Sequence, residues 1–121
     1  LPMNMRMYFY LLTAEHYEFR KKENKIQFKP KKIFGRIKDM SSGGIKVEIE
    51  KMPQENIKIG DVFLFHLPFA SLRGNLAVSA VNIVSQNSKS NIHMMFRDID
   101  MLTHIKLNQY LHRKKIRMKA A

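Results

Sequence analysis

The segment Asp-Met-Ser-Ser-Gly-Gly at residues 39–44 contains the side chains best suited to recognise a ligand. It fits the pattern DxSxxG, whose fixed positions are Asp39, Ser41 and Gly44. An ionised Asp accepts two hydrogen bonds side by side, and a Ser hydroxyl donates or accepts one. Gly43 and Gly44 allow a tight turn and a close approach of backbone N–H groups to a ligand. The same residue types also stabilise ordinary turns, because Asp and Ser bond their own backbone.

Positive charge is concentrated around this segment. The 121 residues carry a formal charge of +12, and nine basic residues lie between Arg20 and Lys38 with Glu23 as the only acid among them. Arg36 and Lys38 lie two residues apart on a predicted strand, so they point the same way and could supply positive charge beside the turn. Simple solvent exposure is the alternative. A second basic cluster over residues 113–119 ends the chain, and such a surface attracts anions.

Several function classes are excluded by what the sequence lacks. The five histidines show no HxxxH or HxH spacing, and no GxSxG, Walker A or GxGxxG motif occurs. The acids lie mostly in loops or on the outward side of strands. We therefore expect no catalytic residue, no metal, no cofactor and no enzymatic activity. The chain has no cysteine and no apolar run long enough to span a membrane, so we expect a cytoplasmic protein.

Alternating apolar residues predict strands on both sides of the segment. Residues 3–11 alternate, and Ile45, Val47 and Ile49 alternate with charged residues after the turn. Further strands are predicted over residues 32–38, 62–69, 76–84 and 92–96, with turns at 39–44, 73–75 and 85–91. Residues 62–69 are apolar on both faces, which is typical of a covered strand. Residues 13–31 are polar and weakly periodic and predict a long connection, with a hairpin extension over 25–29.

The pattern changes at Asp98. Asp100 or Thr103 is a candidate helix cap, and neither Pro nor Gly interrupts the chain from Met101 onward. Ile105, Leu107, Tyr110 and Leu111 then form an apolar stripe. The sequence therefore predicts a mainly β protein, a small six-stranded antiparallel (split) β-barrel over about residues 3–97 with a C-terminal α-helix over about 100–118. The whole chain, 1–121, is predicted to be one domain.

This arrangement resembles the PilZ domain, the receptor module for cyclic-di-GMP. The segment IKDMSSGGIKVEIE is similar to the family's strand–motif–strand unit, and IKIGDVFLFHLP resembles the next strand. NLAVSAVNIV and NIHMMFRDID look like the last two strands, and DMLTHIKLNQYLHRKKIRMK looks like the C-terminal helix of flagellar-brake-type members. The resemblance implies that an upstream domain precedes this one. Because the chain opens on Leu, we expect it to be a fragment of a longer protein.

The sequence departs from the family at its second signature. RxxxR lies just before the first strand in the family, and no RxxxR precedes residue 1 here. The arginines either belong to an upstream segment or are absent from this member. Lys21 and Lys25 imitate the spacing, but they follow the first strand and lack the guanidinium fork that pairs with phosphate.

The resemblance implies a cyclic-di-GMP receptor that controls motility, adhesion or exopolysaccharide through another protein of the flagellar motor or polysaccharide machinery. It implies a ligand site of Asp39, Ser41, Gly43 and Gly44 beside Arg36 and Lys38. Two alternatives remain. One is a PilZ-like protein-interaction module that does not bind nucleotide. The other, ranked behind it, is a basic nucleic-acid-binding barrel with stacking aromatics Tyr8, Tyr10, Phe28 and Phe34.

Overall fold

Six strands and two helices make up the protein in a computed structural model that describes residues 1–23, 31–50, 57–67, 75–86 and 88–120. The elements in chain order are β1 (Pro2–Leu12), α1 (Ala14–Glu23), β2 (Lys31–Met40), β3 (Gly44–Ile49), β4 (Val62–Phe65), β5 (Leu76–Gln86), β6 (Lys89–Arg97) and α2 (Met101–Ala120). The strands close into a barrel in the order β1-β2-β3-β6-β5-β4, and every neighbouring pair is antiparallel. The predicted six-stranded barrel with a C-terminal helix is confirmed.

The barrel interior is filled by the residues that alternate inward along each strand. On β1, Phe9 is fully buried, while Met3, Met5 and Met7 are partly buried against the same core. Ile45, Val47 and Ile49 of β3 are also buried there. Phe63 and Phe65 of β4 pack with Phe9 as ring pairs. The period-two pattern in the sequence thus located the core correctly on these strands.

Helix α1 corrects the prediction of a long connection over residues 13–31. Its few apolar residues give little helical periodicity, yet Tyr17 packs on the outer face of the barrel against Leu12, Val62 and Leu64. Thr13 caps the helix, since its Oγ1 accepts a hydrogen bond of 3.1 Å from the His16 N–H. This helix explains why both faces of β4 are apolar. The predicted hairpin extension over 25–29 lies outside the described residues.

Helix α2 begins where the sequence predicted. The N–H of Thr103 donates to Asp100 Oδ1 at 2.7 Å, so Asp100 is the cap. Leu107 is fully buried in the barrel core, and Tyr110 and Leu111 pack against it. Leu107, Tyr110 and Leu111 therefore close part of the barrel, whereas Ile105 of the predicted stripe is 46% exposed.

Several strand boundaries differ from the prediction. β2 continues to Met40 because it pairs with β3 up to Met40↔Ile45, through part of the predicted turn. β5 and β6 extend to Gln86↔Lys89, which leaves only a short turn in which Ser88 has φ 66°. β4 ends at Phe65, whereas the sequence predicted a strand to residue 69, and residues 68 and 69 lie outside the described residues. The predicted turn at 73–75 also falls mostly outside them.

Candidate functional site

A pocket of about 360 Å³ lies on the outer face of the barrel beside the turn between β2 and β3. Its size falls within the usual range for small-molecule sites. Four of the predicted site residues, Asp39, Ser41, Gly43 and Gly44, line it. The remaining lining residues come from β2, β3, β5 and β6: Met40, Ile45, Lys46, Val81, His93, Met94 and Met95. The structure therefore brings the DxSxxG segment together with side chains from three other strands.

Strand register places the polar groups of this pocket in one row. Asp39 of β2 pairs with Lys46 of β3, and Lys46 pairs with His93 of β6. Register shifts on β2 between Ile37 and Asp39, and on β5 between Ala80 and Asn82, mark bulges at the two sides of the row. A carboxylate, an ammonium and an imidazole thus lie on adjacent strands, which are about 4.8 Å apart.

Asp39 is accessible at the pocket. Its side chain is 54% exposed, and Oδ1 accepts a hydrogen bond of 2.8 Å from the α-amino group of Leu1. That ammonium lowers the pKa of Asp39, and Lys46 adds to the effect, so the carboxylate is ionised at neutral pH. The Met40 N–H donates to the Leu1 carbonyl at 3.0 Å, which fixes the start of β1 directly beside Asp39.

Ser41 organises the turn that follows. Its N–H donates to the Gly44 carbonyl at 2.9 Å, and its Oγ accepts a bond of 3.3 Å from the Gly43 N–H. From outside, Nε2 of His104 on α2 lies 3.1 Å from the Ser42 carbonyl oxygen. The turn is therefore held both by its own Ser hydroxyl and by the first turn of α2.

The two glycines of the segment have different roles in the fold. A Cβ on Gly44 would overlap the Met94 carbonyl oxygen and approach the Met95 Cα to 3.1 Å, because β3 and β6 pair closely there. A Cβ on Gly43 would meet only Ser41 Oγ, at 4.0 Å. Gly44 is thus required by strand packing, whatever it contributes to a ligand.

Arg36 and Lys38 are not among the residues that line the pocket. Arg36 pairs with Glu48 across the ladder, and its Nη2 lies 3.9 Å from Glu50 Oε1. Arg36 and Lys38 lie on either side of the buried Ile37, and the bulge between Ile37 and Asp39 breaks the alternation only after Lys38. Lys21 also lies away from the pocket lining, since its Nζ contacts Asp98 at 3.2 Å. Lys25 is outside the described residues.

Sequence reasoning missed Lys46, His93, Val81 and Met95 as pocket residues. Alternation placed Lys46 outward on its strand, but only the pairing of β3 with β6 shows that His93 is its neighbour. Within the described ranges, no three His, Asp or Glu side chains are close enough together to hold a metal ion. In the same part of the chain, no helix is long and apolar enough to cross a membrane.

Comparison with known proteins agrees with this fold. Residues 20–113 match the PilZ domain family, and the chain belongs to that family. Its fold is similar to that of K. pneumonia MrkH in the apo state, with a TM-score of 0.62 and 12% sequence identity. The match covers 99% of this chain and 52% of MrkH, so the chain spans about half the length of that protein. No curated protein sequence matches the chain. PilZ domains are typically regulatory binding modules.

Proposed function

We propose that this domain is a receptor for cyclic-di-GMP and that the pocket beside the β2–β3 turn is its binding site. The observation that carries the proposal is the position of Asp39 and Ser41 at a pocket whose other side presents Lys46 and His93. Family membership supports the ligand class, because PilZ is a cyclic-di-GMP-binding family.

The residue types fit the two parts of this ligand. A guanine presents two adjacent N–H donors on its Watson–Crick edge, and the ionised Asp39 carboxylate accepts both. A different base would leave that carboxylate unpaired, so the contact is selective. Lys46 offers donors and positive charge to a phosphate, and the His93 ring offers an N–H donor. Val81 and Met95 provide exposed apolar surface for a base or ribose.

The position of Leu1 indicates where further phosphate contacts would enter. Its backbone lies beside Asp39, so residues ahead of it in a longer chain would begin at the rim of the pocket. That is where the family resemblance implies the RxxxR signature. Each charge-assisted bond contributes roughly 1.5–3 kcal/mol. Two missing arginines would therefore weaken binding by about two to four orders of magnitude.

Isothermal titration of cyclic-di-GMP tests the proposal, using this chain and a longer natural form that includes residues ahead of Leu1. Asp39→Ala should abolish binding in whichever form binds, and it should leave the melting temperature nearly unchanged because the side chain is half exposed. Glu50→Gln is the matched control, since Glu50 is an exposed carboxylate outside the pocket lining. If neither form binds, or if Asp39→Ala binds as well as the wild type, the proposal is wrong.

The alternative function is a PilZ-like module that docks another protein without binding nucleotide. The exposed apolar side chains of α2 favour it, because Met101 and Leu102 are 80% and 63% exposed. In either case we propose that the domain acts on a partner protein in the control of motility, adhesion or exopolysaccharide. Because cyclic-di-GMP is an intracellular messenger, the proposal also places the domain in the cytoplasm.

A further inference from the structure

A strip of aromatic and basic side chains covers the outer face of β1 and β2, separate from the pocket. We name it the β1–β2 strip, and it consists of Arg6, Tyr8, Tyr10, Lys32, Phe34 and Arg36. Strand register arranges these residues in three successive cross-strand pairs: Arg6 with Arg36, Tyr8 with Phe34, and Tyr10 with Lys32. None of the six lines the pocket.

The aromatic rings of the strip are open to solvent. Tyr8 is 53% exposed, Phe34 is 49% exposed and Tyr10 is 37% exposed. The Tyr8 and Phe34 rings pack edge to face, with centroids 5.2 Å apart, and this contact holds both rings in place on the sheet. Exposed apolar side chains are usually scattered singly over a protein surface, whereas three large rings here share one sheet face.

Two of the three cations of the strip, Arg6 and Lys32, form no ion pair with the described residues. Arg6 and Arg36 are directly opposite each other, an arrangement that destabilises a sheet unless an anion lies between the two side chains. Lys32 Nζ lies 4.1 Å from the Tyr8 ring centroid, so its charge stays beside the aromatic pair. Glu50 approaches Arg36 at 3.9 Å, but among the described residues neither Arg6 nor Lys32 forms an ion pair.

We propose that the β1–β2 strip binds single-stranded nucleic acid. Bases would stack on Tyr8, Phe34 and Tyr10, and backbone phosphates would contact Arg6, Arg36 and Lys32. Exposed aromatic rings flanked by cations on a sheet are the combination that single strands recognise, because every unpaired base offers a flat face and every link a negative charge. An acidic peptide would satisfy the cations but would give the three rings no flat partners. A duplex keeps its bases stacked and therefore cannot use them either.

Fluorescence anisotropy with labelled oligo(dT) and oligo(U), at low and moderate salt, tests the proposal. The double variant Tyr8→Ala/Phe34→Ala should bind about tenfold or more weakly with an unchanged salt dependence, because it removes stacking and no charge. Val84→Ala/Ile105→Ala is the matched control, since Val84 and Ile105 are 49% and 46% exposed elsewhere on the surface. Tyr8→Phe keeps the ring and should bind normally.

The cations are tested in the same assay. Arg6→Ala/Lys32→Ala should weaken binding and flatten its salt dependence more than Lys58→Ala/Lys115→Ala, which removes the same charge from other exposed positions. Thermal melts monitored by circular dichroism confirm that each variant is folded at the assay temperature. Asp39→Ala should bind oligonucleotide like the wild type, which separates this proposal from the cyclic-di-GMP site.

Three results would overturn the proposal: no binding by the wild type, full binding by Tyr8→Ala/Phe34→Ala, or equal losses in both charge variants. Competition with polyglutamate at matched charge identifies the occupant. Displacement of the oligonucleotide by polyglutamate, together with full binding by the aromatic variant, would assign the strip to an acidic protein partner instead.

Discussion

Gly44 offers the sharpest test of how the site is built, because packing and ligand binding predict different outcomes for its substitution. In Gly44→Ala the new Cβ would overlap the Met94 carbonyl oxygen, which is backbone and cannot rotate away. The two strands would have to separate by about 1 Å or more to restore van der Waals contact. That shift weakens the Gly44↔Met95 ladder pair and the neighbouring bond of 3.0 Å from the Phe96 N–H to the Gly43 carbonyl.

The expected cost follows from these contacts. The shift weakens two or three backbone hydrogen bonds worth about 1 kcal/mol each and leaves buried groups partly unsatisfied. We therefore expect the free energy of unfolding to fall by about 2–4 kcal/mol. Unfolding entropy of about 2.1 cal/mol/K per residue gives roughly 0.25 kcal/mol/K for a chain of this length. The melting temperature of Gly44→Ala should therefore fall by about 8–16 °C.

Gly43→Ala is the matched control, one residue away in the same turn. Its Cβ would have no atom closer than Ser41 Oγ at 4.0 Å, and the substitution restricts the unfolded chain. Its melting temperature should be unchanged or a few degrees higher. Differential scanning calorimetry measures the melting temperatures of both variants. If Gly44→Ala has the melting temperature of Gly43→Ala but no longer binds cyclic-di-GMP, then Gly44 contributes to ligand binding and the packing argument is wrong.

Three further predictions concern the helices. Burial and the 2.8 Å hydrogen bond to Asp98 raise the pKa of Tyr17 to about 12, above its unfolded value of 10.0. The protonated Tyr17 stabilises the fold below pH 10, and this stabilisation is lost as the pH rises from 10 towards 12. Tyr17→Phe should therefore make stability depend less steeply on pH in this range. It should also remove the step of tyrosinate absorbance that occurs at the highest pH. Leu107→Ala should destabilise the fold by about 2–5 kcal/mol in urea unfolding, whereas Leu102→Ala, at an exposed position, should not. Removal of residues 113–121 deletes five cations and should weaken retention on anionic vesicles; a large fall in melting temperature would show that this segment packs.

The sequence predicted the site turn because its signals are local. Asp39 lies near the end of β2 and Ser41 directly after it, and a glycine-containing turn between strands is specified by neighbouring residues. The row that continues from Asp39 to Lys46 and His93 was not predictable in the same way. His93 lies 47 positions after Lys46 along the chain, and their contact depends on the register of β3 with β6. A single bulge changes which side chains share a face, as it does at Asp39, which follows the outward Lys38 with no buried residue between them.

Helix α1 illustrates the same limit for the fold. Its sequence is polar, and the contacts that support it are distant in the chain: Tyr17 bonds Asp98, and Arg97 Nη2 contacts Glu18 Oε1 at 2.5 Å. Tertiary contacts of this kind override weak local preferences and leave no periodic signal. The apolar outer face of β4 was the available clue, since Val62 and Leu64 require a cover.

The short length of β4 determines where another macromolecule could pair with the main chain of this barrel. Within the described residues β4 pairs with β1 only at Tyr10–Leu12 and with β5 only at Leu76–Ser79. Most of β1 and β5 therefore has a ladder partner on one side only, and it is there that a foreign strand could add by main-chain hydrogen bonds. At β3, which has ladder partners on both sides, recognition must proceed through side chains or through the turns.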